Sequence, residues 1–288
     1  MIINIKYGLN NKIHKGNTFI RDEPLCGSDE VATIEVVELY IKAVAKITDE
    51  HLLVVSNENI GQIYLCKEEY ISLIKEVQLN CSFILPLIRK NELFCSLGNK
   101  NPSFILKFDN KFSFSKKQTI NIYSDFATES NDGRIFTSLR YSNDIQVLNK
   151  NSKNVYEKIY TISSNNKING KPFTYKDKYL IYNCEKSLII NDLNNYNKIK
   201  EFEIEEYFGN GEMTVFKDKF LIVIIDRGFS LYDIEKLEFI KYITTGFDYV
   251  LSKSLCILKN GILLVGFSNQ CIAVYDLNDD FKEIEIWK

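Results

Sequence analysis

The sequence predicts an all-β fold, a single β-propeller of about seven four-stranded blades. Lys219–Leu237 combines an apolar strand, a tight polar turn, a second strand and a closing Asp, and Lys178–Leu193 and Gly261–Leu277 repeat this arrangement. The polar turns recur about every 41 to 45 residues along the chain. Tyr and Phe supply 36 of the 288 residues and favour strands over helices. A period near 40 with four short strands per repeat is typical of a propeller.

Two polar markers define the repeats. Polar turns between apolar runs fall at Asp49-Glu50, Lys90-Asn91, Asp132-Gly133, Asp177-Lys178, Asp218-Lys219 and Asn260-Gly261. The following hairpins end at Lys67, Asp109, Asn149, Asp192, Asp233 and Asp276. Asp-Gly and Asn-Gly are strong hairpin turns because both residues tolerate positive φ. The markers therefore place six recognisable repeats, each with strands A to D.

The last three repeats predict their strands individually, whereas the first three are placed by period. Repeat four reads Pro172–Lys176, Tyr179–Cys184, Leu188–Asn191 and Lys198–Ile204; repeat five Met213–Lys217, Phe220–Ile225, Phe229–Tyr232 and Glu238–Ile243; repeat six Ser254–Lys259, Ile262–Phe267, Cys271–Tyr275 and Phe281–Trp287. Repeats one to three span Tyr40–Leu79, Phe83–Ile120 and Ser124–Ile162. The B strands are nearly continuous apolar runs, as expected for strands buried on both faces.

Residues 1–39 have the length of one more repeat, with candidate strands at Ile2–Tyr7, Thr18–Arg21 and Val31–Leu39. The B position, Lys12 to Lys15, is short and polar. We therefore expect seven blades, with six blades plus an N-terminal extension as the alternative. Nothing in the composition divides the chain, so we expect one domain over residues 1–288, with six recognisable blades in 40–288.

The second hairpin resembles part of the WD40 repeat. Glu185, Asp226 and Asn269 each lie seven residues before Asp192, Asp233 and Asp276, and Tyr-Asp or Asn-Asp stands where WD40 proteins carry Trp-Asp. The Gly-His pair usual in that family is missing, because His14 and His51 do not follow Gly. The resemblance implies a divergent WD40-like propeller that binds proteins without catalysis. It also implies structural roles for Asp226, bonding amides of its own turn, and for Asp233.

Composition argues against several classes of function. No apolar run is long enough for a membrane-spanning helix, and the N-terminus lacks the features of a signal peptide. Seven scattered cysteines without such a signal favour reduced thiols and a cytoplasmic location. We expect no cofactor, no metal site and no enzyme activity, because neither glycine motifs nor Cys/His clusters occur and His51 opens a strand at a turn.

Charge leaves a second kind of partner open. The segment from Arg89 to Lys200 contains 19 Lys and Arg but only 10 Asp and Glu, although the whole chain carries a net charge of −2. This diffuse basic sector, 89–200, could dock a nucleic acid or an anionic lipid. A propeller enzyme or small-ligand binder that uses the central channel is the other alternative to protein binding.

The loops that join strand D of one repeat to strand A of the next (the D–A loops) carry aromatic residues. These are Tyr123, Tyr207, Phe208, Phe247 and Tyr249. Exposed aromatic side chains on a rigid scaffold are common anchors of protein interfaces, although the same rings could instead pack between blades. The sequence therefore predicts an interaction scaffold that binds a protein or peptide on the face bearing these loops.

Overall fold

The computed structural model describes residues 12–13, 39–56, 58–67, 70–88, 91–98, 101–204, 212–244, 252–258, 260–267 and 271–287. Every regular element in these ranges is a β-strand. No helix that could cross a membrane occurs there. The chain divides into two compact units, Met1–Ile122 (unit 1) and Tyr123–Lys288 (unit 2).

Unit 1 contains two antiparallel sheets in which sequence neighbours pair. Sheet 1 comprises β1 (Lys12–Ile13), β2 (Leu39–Lys46), β3 (His51–Ser56), β4 (Ile60–Cys66) and β5 (Ile71–Gln78). Sheet 2 comprises β6 (Phe83–Pro86), β7 (Glu92–Ser96), β8 (Ser103–Phe108) and β9 (Phe114–Ile120). One apolar core joins them, with Leu53 and Ile63 of sheet 1 and Leu93 of sheet 2 fully buried.

Unit 2 contains four such sheets, each with four strands. Sheet 3 comprises β10 (Phe126–Glu129), β11 (Ile135–Ser138), β12 (Asp144–Lys150) and β13 (Tyr156–Ser163); sheet 4 comprises β14 (Phe173–Tyr175), β15 (Tyr179–Cys184), β16 (Ser187–Asp192) and β17 (Lys198–Glu203). Sheet 5 comprises β18 (Met213–Phe216), β19 (Phe220–Ile225), β20 (Gly228–Asp233) and β21 (Glu238–Thr244); sheet 6 comprises β22 (Ser252–Ile257), β23 (Ile262–Phe267), β24 (Ile272–Asp276) and β25 (Lys282–Trp287).

These six sheets are the blades of a β-propeller, so the all-β prediction is confirmed. The preferred count of seven blades is wrong, and the alternative count of six is confirmed. Lys12–Ile13 pairs with β2 on the side away from β3 and so extends sheet 1. The polar B position of residues 1–39 explains the miscount, because one apolar residue cannot supply the core of another sheet. Ile2–Tyr7, Thr18–Arg21 and residues 31–38 lie outside the described residues. The prediction of one domain stays a prediction.

The second strands are buried on both faces. In β19, Leu221, Val223 and Ile225 pack into a core shared with sheet 4, whereas Ile222 packs into a core shared with sheet 6. A strand between two apolar cores needs no polar face, which explains its unbroken apolar run. The predicted bounds Tyr179–Cys184, Phe220–Ile225 and Ile262–Phe267 match the structure residue for residue.

First and fourth strands differ in their surroundings. In unit 2, first strands approach first strands, β10 beside β14 and β18 beside β22. Most side chains of the fourth strands β17 and β21 are exposed or only partly buried. The first strands therefore form the inner edges of these sheets, and the fourth strands form the outer edges.

Candidate functional site

The loop face of unit 2 is the end of its sheets where first strands begin and second strands turn into third strands. At sheet 3 it comprises residues 123–125 and 139–143. Tyr123 lies there with 45% of its surface exposed, three residues before the strand that begins at Phe126. The structure thus places Tyr123, one of the five predicted aromatic residues, where a partner could contact it.

Arg140 connects the two loops of this surface. Its backbone N–H donates to Asp125 Oδ2 at 2.9 Å, and its guanidinium lies 5.1 Å from the centre of the Phe126 ring. The carboxylate fixes the loop, and the aromatic face holds the cation by a cation–π contact. Tyr123 and Arg140 are therefore held at the same end of sheet 3.

Tyr141, which follows Arg140, is the most exposed large hydrophobic side chain of this surface, at 62%. Its backbone is in the left-handed region, with φ 63°, and its N–H donates to Ile168 O at 2.8 Å. A non-glycine residue in this conformation is uncommon. Sequence reasoning missed Tyr141 because it searched D–A loops, whereas Tyr141 lies in the turn between second and third strands. Its position directly before the polar Ser142-Asn143-Asp144 stretch was the available signal.

The other predicted aromatic residues, Tyr207, Phe208, Phe247 and Tyr249, lie outside the described residues. The structure therefore brings Tyr123 together with Arg140 and Tyr141, and it does not test the rest of the predicted surface.

A partly buried charge pair lies at the inner edge of unit 2. Glu212 precedes β18, and its Oε2 accepts from Leu255 N of sheet 6 at 3.0 Å. Burial raises the pKa of Glu212, against the opposing effects of the Leu255 N–H and the Lys171 charge. Burial likewise lowers the pKa of Lys171, against the attraction of Glu212. The Glu212 carboxylate thus links sheets 5 and 6, and the charge of Lys171, which precedes sheet 4, acts on it. The sequence offered no pattern that predicts this arrangement.

The strand-end aspartates have a structural role, as predicted for Asp233. Asp233 is buried, and its Oδ1 accepts from Glu235 N at 3.0 Å and Lys236 N at 2.9 Å. Asp192 and Asp276 accept turn amides in the same way. Each carboxylate holds the turn between third and fourth strands, which explains why this marker repeats. The predicted bonds of Asp226 stay a prediction.

A hollow of about 470 Å³ in unit 1 contains His51. The His51 Nδ1 lies 2.7 Å from Thr48 Oγ1, and its ring centre lies 4.7 Å from that of Phe112. Thr48 Oγ1 also accepts from Glu50 N at 3.3 Å, so these bonds order a single turn. Among the described residues no cluster of three or more His, Cys, Asp or Glu could hold a metal. The hollow thus shows a turn-stabilising histidine.

Several cations of the basic sector 89–200 face carboxylates. Lys117 pairs with Glu92 at 2.6 Å, Lys198 with Glu201 at 2.6 Å, and Arg134 with Asp132 at 2.7 Å. Such pairing reduces the positive potential that a polyanion would meet. Docking of a nucleic acid or anionic lipid stays a prediction.

Comparison with known proteins supports the fold. No protein-family model matches the chain, and no curated protein matches it by sequence. Among solved structures, a protein from Lactobacillus plantarum aligns with a TM-score of 0.68 at 10% sequence identity. The alignment covers 88% of this chain and 87% of that chain. At this identity the similarity extends to the fold alone.

Proposed function

We propose that the chain is a non-catalytic, WD40-like propeller module that binds a protein or peptide through the loop face of unit 2. The observation that carries the proposal is the fixed Arg140 with the exposed Tyr123 and Tyr141 at the same end of sheet 3. Tyr and Arg are enriched among residues that dominate binding energy. By sequence alone, Tyr207, Phe208, Phe247 and Tyr249 extend the same proposed surface.

The chemistry of this surface supports binding rather than catalysis. Its exposed described side chains are those of Tyr123, Arg140, Tyr141 and Asn143, and Asp125 already accepts the Arg140 N–H. Nucleophilic catalysis would require a base beside a nucleophile. The strand-end aspartates support the WD40-like part of the proposal, since they act on backbone amides within their own turns.

Affinity capture from lysate of the source cell tests the proposal, with wild type, Tyr123→Ala/Tyr141→Ala and Tyr70→Ala as baits. Tyr70 is the matched control, because it is 46% exposed and lies in unit 1. We expect the double variant to lose partners that wild type and Tyr70→Ala retain, with unchanged thermal unfolding. Retention of every partner by the double variant would refute the proposed surface.

A further inference from the structure

A groove of about 490 Å³ runs between the fourth strands of sheets 4 and 5, away from the loop face. Four of its lining residues are aromatic: Phe202, Tyr232, Phe239 and Tyr242. The ring centres of Phe202 and Tyr232 lie 5.0 Å apart, those of Tyr232 and Phe239 5.6 Å, and those of Phe239 and Tyr242 4.5 Å. The rings thus form one continuous aromatic wall.

A β-bulge creates this wall. Tyr232 pairs with Phe239 and Ser230 pairs with Tyr242, whereas Ile240 has no partner in the register. Residues two apart on β20 share a face, so their partners Phe239 and Tyr242 also share a face, although they are three apart. In a regular strand these two rings would point to opposite sides. The extra residue therefore brings both rings to the groove.

The groove presents ring faces to solvent above a buried aromatic ring. Phe239 is 41% exposed and Tyr242 is 39% exposed, whereas Tyr232 below them is 1% exposed. Phe239 and Tyr242 are therefore the rings that a ligand can contact, and Tyr232 forms the floor beneath them.

The charge of the lining selects the ligand. Three carboxylates, Glu201, Glu203 and Glu238, line the groove with one ammonium, that of Lys200. Lys200 Nζ already lies 5.4 Å from the centre of the Phe202 ring, so the chain itself places a cation against this wall. Lys198 pairs with Glu201, which leaves the lining net negative. Aromatic faces in a negative groove favour a cation over an anion or a neutral group.

We propose that this groove binds a lysine side chain of an extended peptide, with its ammonium against Phe239 and Tyr242. The ring quadrupoles and the carboxylates attract the charge. The groove is large enough for one long side chain and its flanking backbone. The site shares no residue with the loop face, so either site can fail without the other.

Peptide titration followed by the backbone amide signals of the whole chain tests the site. The probes are the acetylated, amidated tripeptide Gly-Lys-Gly and its norleucine and trimethyllysine equivalents. We expect saturable shifts in β17 and β21 with lysine and trimethyllysine, and binding of norleucine at least fivefold weaker. Equal shifts with norleucine would show an apolar groove without charge selection, and no shift with any probe would show no site; either result overturns the proposal.

Variants separate the aromatic wall from its surroundings. Phe239→Ala and Tyr242→Ala should each weaken lysine binding about fivefold to thirtyfold, as expected for the loss of a cation–π contact. Ile240→Ala is the matched control, because Ile240 is 41% exposed on the same strand but does not line the groove. It should bind within twofold of wild type. Equal effects at all three positions would refute the assignment.

Lys200 offers a variant that preserves the wall. Lys200→Gln removes a like charge and frees the Phe202 face, so lysine binding should tighten severalfold, whereas Glu238→Gln should weaken it. Both side chains lie on outer strands, and thermal unfolding checks that the fold is intact. Weaker binding by Lys200→Gln would contradict a site that recognises cations.

Discussion

Asp132 and Arg134 form a network that joins the first turn of sheet 3 to sheet 4. Asp132 Oδ1 accepts from Ser130 Oγ at 2.6 Å and from Arg134 N at 3.1 Å, and its Oδ2 accepts from Arg134 Nε at 2.7 Å. Arg134 Nη1 donates to Leu193 O at 2.8 Å and to the Tyr196 hydroxyl at 2.7 Å. The planar guanidinium supplies donors in both directions, which a lysine could not do.

This network predicts a pH dependence of stability. Burial acts to raise the pKa of Asp132, but the bonds from Ser130 and Arg134 and the Arg134 charge outweigh it, so the pKa lies below 3.8. A depressed carboxyl pKa stabilises the fold fully above the unfolded value, and this contribution is lost as pH falls through the folded value. Asp132→Asn should therefore destabilise at pH 7 by about 1 kcal/mol, a modest figure because the side chain is half exposed.

Urea unfolding at pH 7 and pH 3 measures this difference. The difference in unfolding free energy between wild type and Asp132→Asn should shrink at pH 3. This pH lies below the unfolded value of 3.8, so the unfolded chain binds a proton that the folded carboxylate resists. Asp279→Asn is the control, since Asp279 is 70% exposed and 4.0 Å from its cation, Lys282. If the difference in unfolding free energy between wild type and Asp132→Asn stayed constant with pH, the charge of Asp132 would not be the source of its stabilising effect.

At the scale of elements, the first hairpins of sheets 4 and 5 share an unusual turn. Lys178 N donates to Tyr175 O across Lys176 and Asp177, and Lys219 N donates to Phe216 O across Lys217 and Asp218. All four central residues have positive φ, between 46° and 53°. This is the pattern of a type I′ turn, which suits the twist of paired strands but costs a side chain about 1 kcal/mol per residue.

Lys217→Gly should therefore raise stability by about 0.5–1 kcal/mol, because glycine adopts positive φ without steric cost. Lys217→Ala is the matched control. It removes the same ammonium from above the Phe216 ring, which lies 5.0 Å away, but keeps the β-carbon. Thermal unfolding should rank Gly above wild type and Ala at or below it. A Gly variant no more stable than the Ala variant would contradict strain at this turn.

A bulge in every fourth strand marks the outer edge of the sheets. The unpaired residue is Lys117 in sheet 2 and an isoleucine in the other five, namely Ile74, Ile159, Ile199, Ile240 and Ile284. These isoleucines are 41–56% exposed. A bulge twists an edge strand and disrupts its ladder, which discourages pairing with another chain. The same irregularity that protects these edges also builds the groove between sheets 4 and 5.

At the scale of the propeller, each middle sheet of unit 2 contributes one face to each of two cores. Leu180 and Tyr182 of β15 pack with sheet 3, whereas Ile181 between them packs with sheet 5. Adjacent sheets are thus coupled by apolar packing along their length. The Lys171 and Glu212 pair adds a polar link at the inner edge, reaching Leu255 of sheet 6.

A double-mutant cycle measures that polar link. Lys171→Met leaves the partly buried Glu212 carboxylate without the nearby positive charge. Glu212→Gln leaves the partly buried Lys171 ammonium without the nearby negative charge, although Gln can still accept the hydrogen bond from Leu255 N–H. Each single change should cost about 1–3 kcal/mol, and the double variant should cost at least 1 kcal/mol less than their sum. The exposed pair Lys198 and Glu201 is the control, with an expected coupling below about 0.5 kcal/mol. Equal coupling energies in both cycles would show that Lys171 and Glu212 contribute no more to stability than an exposed ion pair.

Much of the fold could be predicted because each repeat encodes its strands and turns in residues that are close together in the sequence. The second strands are apolar throughout and end in polar turns, so their bounds at Phe220–Ile225 followed from composition alone. The strand-end marker also had a local cause, since Asp233 bonds amides two and three residues ahead of it. Blade number did not follow, because it depends on what Lys12–Ile13 pairs with.

The candidate site likewise has residues whose positions could be predicted from local sequence and residues whose positions could not. Tyr123 was predictable, because an aromatic residue beside a strand start in a polar loop is a local feature. Tyr141 joins it only through the bond between Arg140 N and Asp125, which are 15 residues apart. The groove between β17 and β21 requires a bulge and two neighbouring sheets, and the Lys171–Glu212 pair joins residues 41 apart.

The sequence by itself determined the strands, the period and the turns of this protein, because apolar runs, glycine and aspartate act within a few residues of themselves. The tertiary structure decided the number of blades and which charged residues lie near each other. It also decided which face of a strand the residues on either side of a bulge occupy. Those outcomes depend on contacts between residues far apart in the chain. Hydrophobic burial between sheets determines these contacts, and it produces no periodic pattern in the sequence that would predict them.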